Sequence, residues 1–120
     1  MQLPSDRVVM VDVDDTLVCW NVSEFPAEDH FKIRGPNGLV TLVRHEKNIN
    51  LVRKFWKLGY TIVVWSGTGH KWAEKVARSV GLDDVVSLYM SKPMYYIDDK
   101  PSQEWMGPRA WRDPVTGNSV

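Results

Sequence analysis

Cysteine is nearly absent from this 120-residue chain. Its one copy, Cys19, allows no internal disulfide and no cysteine-based zinc site. A disulfide-stapled secreted scaffold is therefore excluded. Net charge is absent as well: fifteen Lys and Arg balance fifteen Asp and Glu. That balance argues against a strongly basic nucleic-acid binder and against an acidic tail protein. No apolar run approaches the roughly 18 residues of a membrane span. The first seven residues are polar, unlike the basic start and long apolar core of a signal peptide. Internal repeats and low-complexity stretches are missing too. What remains is the expectation of one cytoplasmic domain over residues 1–120, of ordinary globular composition at 43% apolar and 25% charged residues.

Hydrophobic patterning predicts alternating strands and helices. Arg7–Val11 is a β-branched apolar run that reads as a strand buried on both faces. Cys19 to Asp29 reads as irregular. His30–Arg34 and Leu39–Val43 flank Gly35-Pro36-Asn37-Gly38 and predict a hairpin. Glu46–Leu58 carries Ile49, Val52 and Trp56 at helical spacing, with Gly59 as a stop. Tyr60–Trp65 is a second buried strand. Gly69–Val80 is a second helix, ended by Gly81. Val85–Tyr89 and Met94–Ile97 read as two further short strands, and residues 107–120 as a loosely docked tail. The alternation predicts an α/β fold, a Rossmann-like three-layer sandwich around a mainly parallel sheet, with the hairpin as a flap after the first strand.

In such sheets ligands bind at the carboxyl ends of the strands. The residues that follow the four apolar runs are Asp12-Val13-Asp14-Asp15-Thr16, then Ser66-Gly67-Thr68-Gly69, then Lys92-Pro93, then Asp98-Asp99. Five carboxylates with one lysine at a common edge would repel. At about 4 Å and an effective dielectric near 20, each like-charge pair costs on the order of 4 kcal/mol. The reading therefore calls for a bound cation, and an oxygen-only ligand set points to Mg²⁺. The rest of the chain is mildly basic, which suits an anionic substrate.

The order of these segments resembles the haloacid-dehalogenase-like phosphohydrolase superfamily. The residues that carry the resemblance are VVMVDVDDTL, IVVWSG, SKP and YYIDD, spread from about Arg7 to Glu104. The resemblance implies Asp12 as a nucleophile that forms an aspartyl-phosphate, and Asp14 as the acid and base for the leaving group and for water. It implies Ser66 and the Gly67 amide, with Thr16, as phosphate-contacting groups, and Lys92 as the charge that offsets the phosphoryl oxygens. It also implies Mg²⁺ held by the Asp12 carboxylate, the Asp14 backbone carbonyl and Asp98, with Asp99 acting through water or by orienting Lys92. The intervals that hold cap domains in that superfamily are short here, so a capless member is expected. A macromolecular substrate or a second subunit would then cover the open site. The substrate class implied is a nucleotide, a nucleic-acid 3′-phosphate or a sugar phosphate. A silent phosphate-binding or assembly module is the alternative.

Bacterial receiver domains also combine aspartates, Ser/Thr and Lys-Pro. They place their acidic pair near the N-terminus, whereas Asp98-Asp99 follows Lys92-Pro93 here. His70 reads as an exposed residue at a helix start. Trp20, Trp105 and Trp111 stand outside the core pattern and are candidates for base stacking. Trp56, Trp65 and Trp72 read as core. Lys32, Arg34, Arg44 and Lys47 gather around the hairpin, either as a substrate-facing rim or as a solvated face.

Overall fold

A computed structural model describes residues 5–120. Three strands form a parallel sheet in the order β1 (Val8–Val11), β5 (Thr61–Ser66), β6 (Val86–Ser91). Three more form an antiparallel sheet in the order β2 (Val18–Cys19), β4 (Gly38–Arg44), β3 (His30–Gly35). The antiparallel sheet and helix α1 (Glu46–Lys57) make the connection from β1 to β5. Helix α2 (His70–Ser79) makes the one from β5 to β6. The fold is α/β, as the alternation predicts.

Both helices end as their glycines suggest. Gly59 and Gly81 take left-handed φ values of 91° and 77°. The Gly59 amide donates to Trp56 O and the Tyr60 amide to Phe55 O. The Gly81 amide donates to Arg78 O and the Leu82 amide to Ala77 O. Each pair closes the Schellman pattern that satisfies the last helical carbonyls, and a Cβ would strain that φ. The start of α1 is capped by His45, whose Nδ1 accepts from the Asn48 amide at 3.1 Å.

The two sheets share one core. Val18, Ile33 and Leu42 of the antiparallel sheet pack in the same cluster as Val11, Ile62 and Val64 of the parallel one. Ile49 and Val52 of α1 join it, as do Trp72, Ala73, Val76 and Ala77 of α2. The hairpin pairs His30 with Val43 through Gly35 with Gly38, as its flanking runs predict. Part of the Cys19–Asp29 segment read as irregular is ordered: Cys19, with Val18 before it, pairs with β4 at Val43 and Arg44, and short 3-10 turns follow at Val22–Glu24 and Ala27–Asp29.

Three expectations about strands and core need correction. Met94–Ile97 forms no strand; it is an exposed segment without pairing, and the parallel sheet has three strands among the described residues. The reason is connection length. Strand β6 runs to Ser91, and two residues separate it from Met94, whereas a parallel neighbour needs a crossover of about a dozen residues. Second, β1 is not buried on both faces. Val8 is exposed and Val9 and Met10 are half-buried, because β1 pairs only with β5 among the described residues. Only β5 has the burial of a central strand. Third, Trp56 is exposed. At that last turn Phe55 takes the inward position, edge-on to Tyr60 with ring centroids 5.2 Å apart.

Residues 107–120, expected to be loosely docked, are held at several points. Trp111 Nε1 donates to Asp15 O, the Arg112 amide donates to Asn48 Oδ1, and Arg112 bridges to Ser119.

Candidate functional site

The three parallel strands end side by side, and each delivers a polar residue. Strand β1 leads into Asp12 and a tight turn in which the Thr16 and Leu17 amides donate to Val13 O. Val13 and Leu17 are fully buried and anchor this turn. Asp15 holds a left-handed φ of 57°, which Asp tolerates better than most residues. Strand β5 ends in the buried Ser66, whose carbonyl accepts from both the Gly69 and Lys92 amides. Strand β6 ends in Ser91, followed by Lys92.

Asp12 is the centre of this group. Its Oδ1 lies 3.1 Å from Lys92 Nζ, and its Oδ2 accepts from the Thr16 hydroxyl at 3.2 Å. Lys92 Nζ also stands 6.0 Å from the centre of the Trp65 ring. The Lys92 amide is bonded to Ser66 O at 2.9 Å, so residues ending all three strands are linked through this contact. Ser66 Oγ accepts from the Thr68 amide at 3.0 Å, which folds the Ser66–Gly69 turn. Gly67 lies exposed in that turn.

Asp14 has partners that sequence reasoning missed. Its Oδ1 accepts from Trp20 Nε1 at 2.9 Å and from Trp72 Nε1 at 3.1 Å. Two indoles thus hold one carboxylate oxygen and leave Oδ2 open. The indoles lie 6 and 58 residues from Asp14, and an indole N–H carries no periodic signal that would pair it with a carboxylate. Ser91 was also missed. Its hydroxyl accepts from the His70 amide at 3.0 Å and caps the first N–H of α2. Its place at a strand end beside Lys92 is the signal that could have found it. Asn48 is a third omission: its Nδ2 donates to Thr16 O at 3.0 Å, and so ties α1 to the Asp12 turn.

Among the described residues, neither Asp98 nor Asp99 shares a hydrogen bond or ion pair with this group. Both are exposed, and Asp98 Oδ1 accepts from the Lys100 amide two residues on. Asp15 is exposed too, and its Oδ1 accepts from the Trp20 amide. Among the described residues, no three His, Cys, Asp or Glu side chains stand where they could hold a metal ion. At this edge Lys92 offsets the Asp12 charge, and two indoles hold Asp14.

The other expected residues fall as follows. His70 is exposed. Trp20 and Trp105 are exposed, and Trp111 packs edge-on against His45 at 5.5 Å. Lys32 and Arg34 are exposed on β3, while Arg44 pairs with Glu46 at 2.7 Å. Burial above all, then the Asp15 and Glu24 charges, pushes the Cys19 thiol up to about 11, so it is no nucleophile at neutral pH. Burial likewise pushes His45 below its ordinary value and keeps it neutral.

Comparison with protein families, with curated proteins and with solved structures finds no match. Among the described residues no helix is long and apolar enough to cross a membrane.

Proposed function

We propose that the strand-end group is the active site of a phosphomonoester hydrolase with Asp12 as nucleophile. The observation that carries this reading is the Asp12–Lys92 contact at 3.1 Å, made at the adjoining ends of β1, β5 and β6. A carboxylate beside an ammonium group is what attack on a phosphate needs: a nucleophilic oxygen, and a positive charge for the phosphoryl oxygens.

In the first step an Asp12 oxygen bonds to phosphorus and the ester P–O bond breaks. The leaving oxygen takes a proton from Asp14. In the second step Asp14 takes a proton from water, whose oxygen bonds to phosphorus. Inorganic phosphate leaves and the Asp12 carboxylate is regenerated. The indoles on Asp14 Oδ1 fix that side chain, so its open Oδ2 handles the proton. Gly67 and Thr68 in the turn after β5, with Thr16, would contact the phosphoryl oxygens, and the buried Ser66 would fix that turn through its Oγ.

Mg²⁺ belongs to this reading through the resemblance to haloacid-dehalogenase-like enzymes. The Asp12 carboxylate, the Asp14 backbone carbonyl and Asp98 would hold it, and no step above runs through it. The same resemblance extends the fold reading to a Rossmann-like arrangement in which the β3–β4 hairpin acts as a flap over a capless site. Substrates are a nucleotide, a nucleic-acid 3′-phosphate or a sugar phosphate, and the free Cys19 suits a reducing, cytoplasmic setting.

One observation favours the second reading, a phosphate-binding module without turnover: Asp98 and Asp99 stand exposed, and the Asp98 carboxylate is bonded to the Lys100 amide. A phosphate-ester panel covering nucleotides, sugar phosphates and 3′-phosphorylated oligonucleotides, run with Mg²⁺ and with chelator, separates the two. Turnover with Mg²⁺ that Asp12→Asn abolishes supports the hydrolase. Binding of a phosphate mimic without hydrolysis of any ester supports the module.

A further inference from the structure

The carboxylate that handles the leaving-group proton stands beside an exposed aromatic ring. Trp20 is 43% exposed, although its indole N–H is engaged by Asp14 Oδ1 at 2.9 Å. Trp72, the other donor to that oxygen, is buried at 5% exposure. The two rings stand 6.5 Å apart and tilted by 43°. Trp72 therefore backs Trp20 from the core, and part of the Trp20 ring is left to solvent.

Three hydrogen bonds fix this residue: its amide donates to Asp15 Oδ1 at 3.1 Å, its carbonyl accepts from the Val22 amide at 2.9 Å, and its indole N–H donates to Asp14. Cys19, just before it, is paired with Val43 in the antiparallel sheet. The ring is thus set in place before any ligand arrives, and a ring ordered in advance loses little further freedom on stacking. Two other indoles are about as exposed, but Trp56 lies at the last turn of α1 and Trp105 packs edge-on against Tyr96. The exposed indole bonded to Asp14 is Trp20.

The reach of the carboxylate sets where a leaving group can lie. In the hydrolase reading the leaving oxygen is bonded to Asp14 Oδ2. Two hydrogen bonds of about 2.9 Å and the width of one carboxylate keep that oxygen within about 8 Å of Trp20 Nε1. Aromatic pairs pack with centroids about 4.5–7 Å apart. A ring carried a few bonds beyond the leaving oxygen therefore reaches the Trp20 indole.

We infer that Trp20 is the platform for the leaving group, and that the leaving alcohol carries a planar aromatic ring. This inference rests on the hydrolase reading for the place of the leaving oxygen. It narrows the substrate to the phosphate ester of a nucleoside or of another alcohol bearing an aromatic ring. A saturated ring or a sugar can also lie against an indole, but it gains only the burial of area. An aromatic ring adds the attraction between π systems. Trp20 then serves the reaction twice: its N–H holds the acid, and its face holds the group that the acid releases.

The test compares matched esters on the full chain with Mg²⁺. Benzyl phosphate and cyclohexylmethyl phosphate release primary alcohols of similar size, one planar and one saturated. Adenosine 5′-monophosphate and ribose 5-phosphate differ by the base alone. In wild type the aromatic member of the first pair is expected to have the higher kcat/KM by about three- to tenfold. An equal or larger preference in the second pair assigns a nucleoside, and a preference confined to the first pair assigns a simple aryl-bearing alcohol. Trp20→Phe keeps a ring and loses the N–H, so it slows every ester and keeps the preference. Trp20→Leu loses both, so it slows every ester and brings the ratio to about one. A role confined to holding Asp14 would slow both members of a pair equally and leave the ratio unmoved in both variants. Ratios of one in wild type, whether or not a variant folds, or a ratio that Trp20→Leu leaves unchanged, overturn the inference while the hydrolase reading stands. Should wild type hydrolyse no ester, the hydrolase reading fails separately, and calorimetry with benzylphosphonate and cyclohexylmethylphosphonate decides on the platform. Tighter binding of the benzyl compound that Trp20→Leu removes supports it; equal binding, or none, overturns it.

Discussion

Removing one indole from Asp14 tests the geometry of the site without any assumption about turnover. Trp72 is buried in the core and donates to Asp14 Oδ1 at 3.1 Å. Trp72→Phe deletes the N–H and part of the ring, so its own cost mixes a lost bond with lost packing. A double-mutant cycle with Asp14→Ala separates them, because the packing loss cancels. A hydrogen bond to a charged group contributes about 1.5–3 kcal/mol. Asp14 is half-buried and its oxygen is shared with Trp20, which brings the expected coupling to about 1–2 kcal/mol. Urea unfolding of wild type, both single variants and the double variant measures it, with equal m-values as the condition for comparison. Trp20 is exposed, and its coupling to Asp14 is expected below about 1 kcal/mol. Additivity of Trp72→Phe and Asp14→Ala to within about 0.3–0.5 kcal/mol would refute the clamp.

Two other outcomes follow from the core and the caps. His45 is fully buried and burial lowers its pKa, against the smaller opposite pull of two backbone carbonyls and of Asp113 and Asp15. Below about 6.5 the unfolded chain therefore binds a proton that the folded chain does not, so stability falls as pH drops from there toward the folded pKa. His45→Asn keeps a side-chain cap acceptor and flattens this limb of the curve; melting temperatures between pH 5 and 7 that fall equally in both proteins would contradict it. Leu42 is fully buried at the meeting of the two sheets, so Leu42→Ala costs about 2–5 kcal/mol in denaturant unfolding.

Much of the fold was readable because its signals are local. The glycine stops at Gly59 and Gly81, the hairpin around Pro36-Asn37 and the apolar run of β5 each depend on a few adjacent residues. The Asp12–Lys92 meeting was readable for a different reason: parallel strands present their following residues at one edge, whatever their separation along the chain. Met94–Ile97 shows where this reasoning breaks. Its composition is that of a strand, but composition says nothing of the crossover that a parallel neighbour requires, and only two residues are available. The apolar run of β1 could not show that it pairs only with β5 among the described residues, since pairing is a property of neighbours. The Trp20 and Trp72 clamp on Asp14 was hidden because an indole looks the same in a sequence whether or not its N–H has a partner.

The central claim is that Asp12, at the end of β1 and against Lys92, becomes covalently phosphorylated. Acid quenching during turnover of an aryl phosphate with Mg²⁺, followed by peptide mass spectrometry, measures this directly. The account expects one phosphoryl group on the peptide that contains Asp12, no such group in Asp12→Asn, and loss of turnover in that variant with the fold intact. Equal turnover in wild type and Asp12→Asn, or hydrolysis with Asp12 unmodified at every quench time, would contradict it.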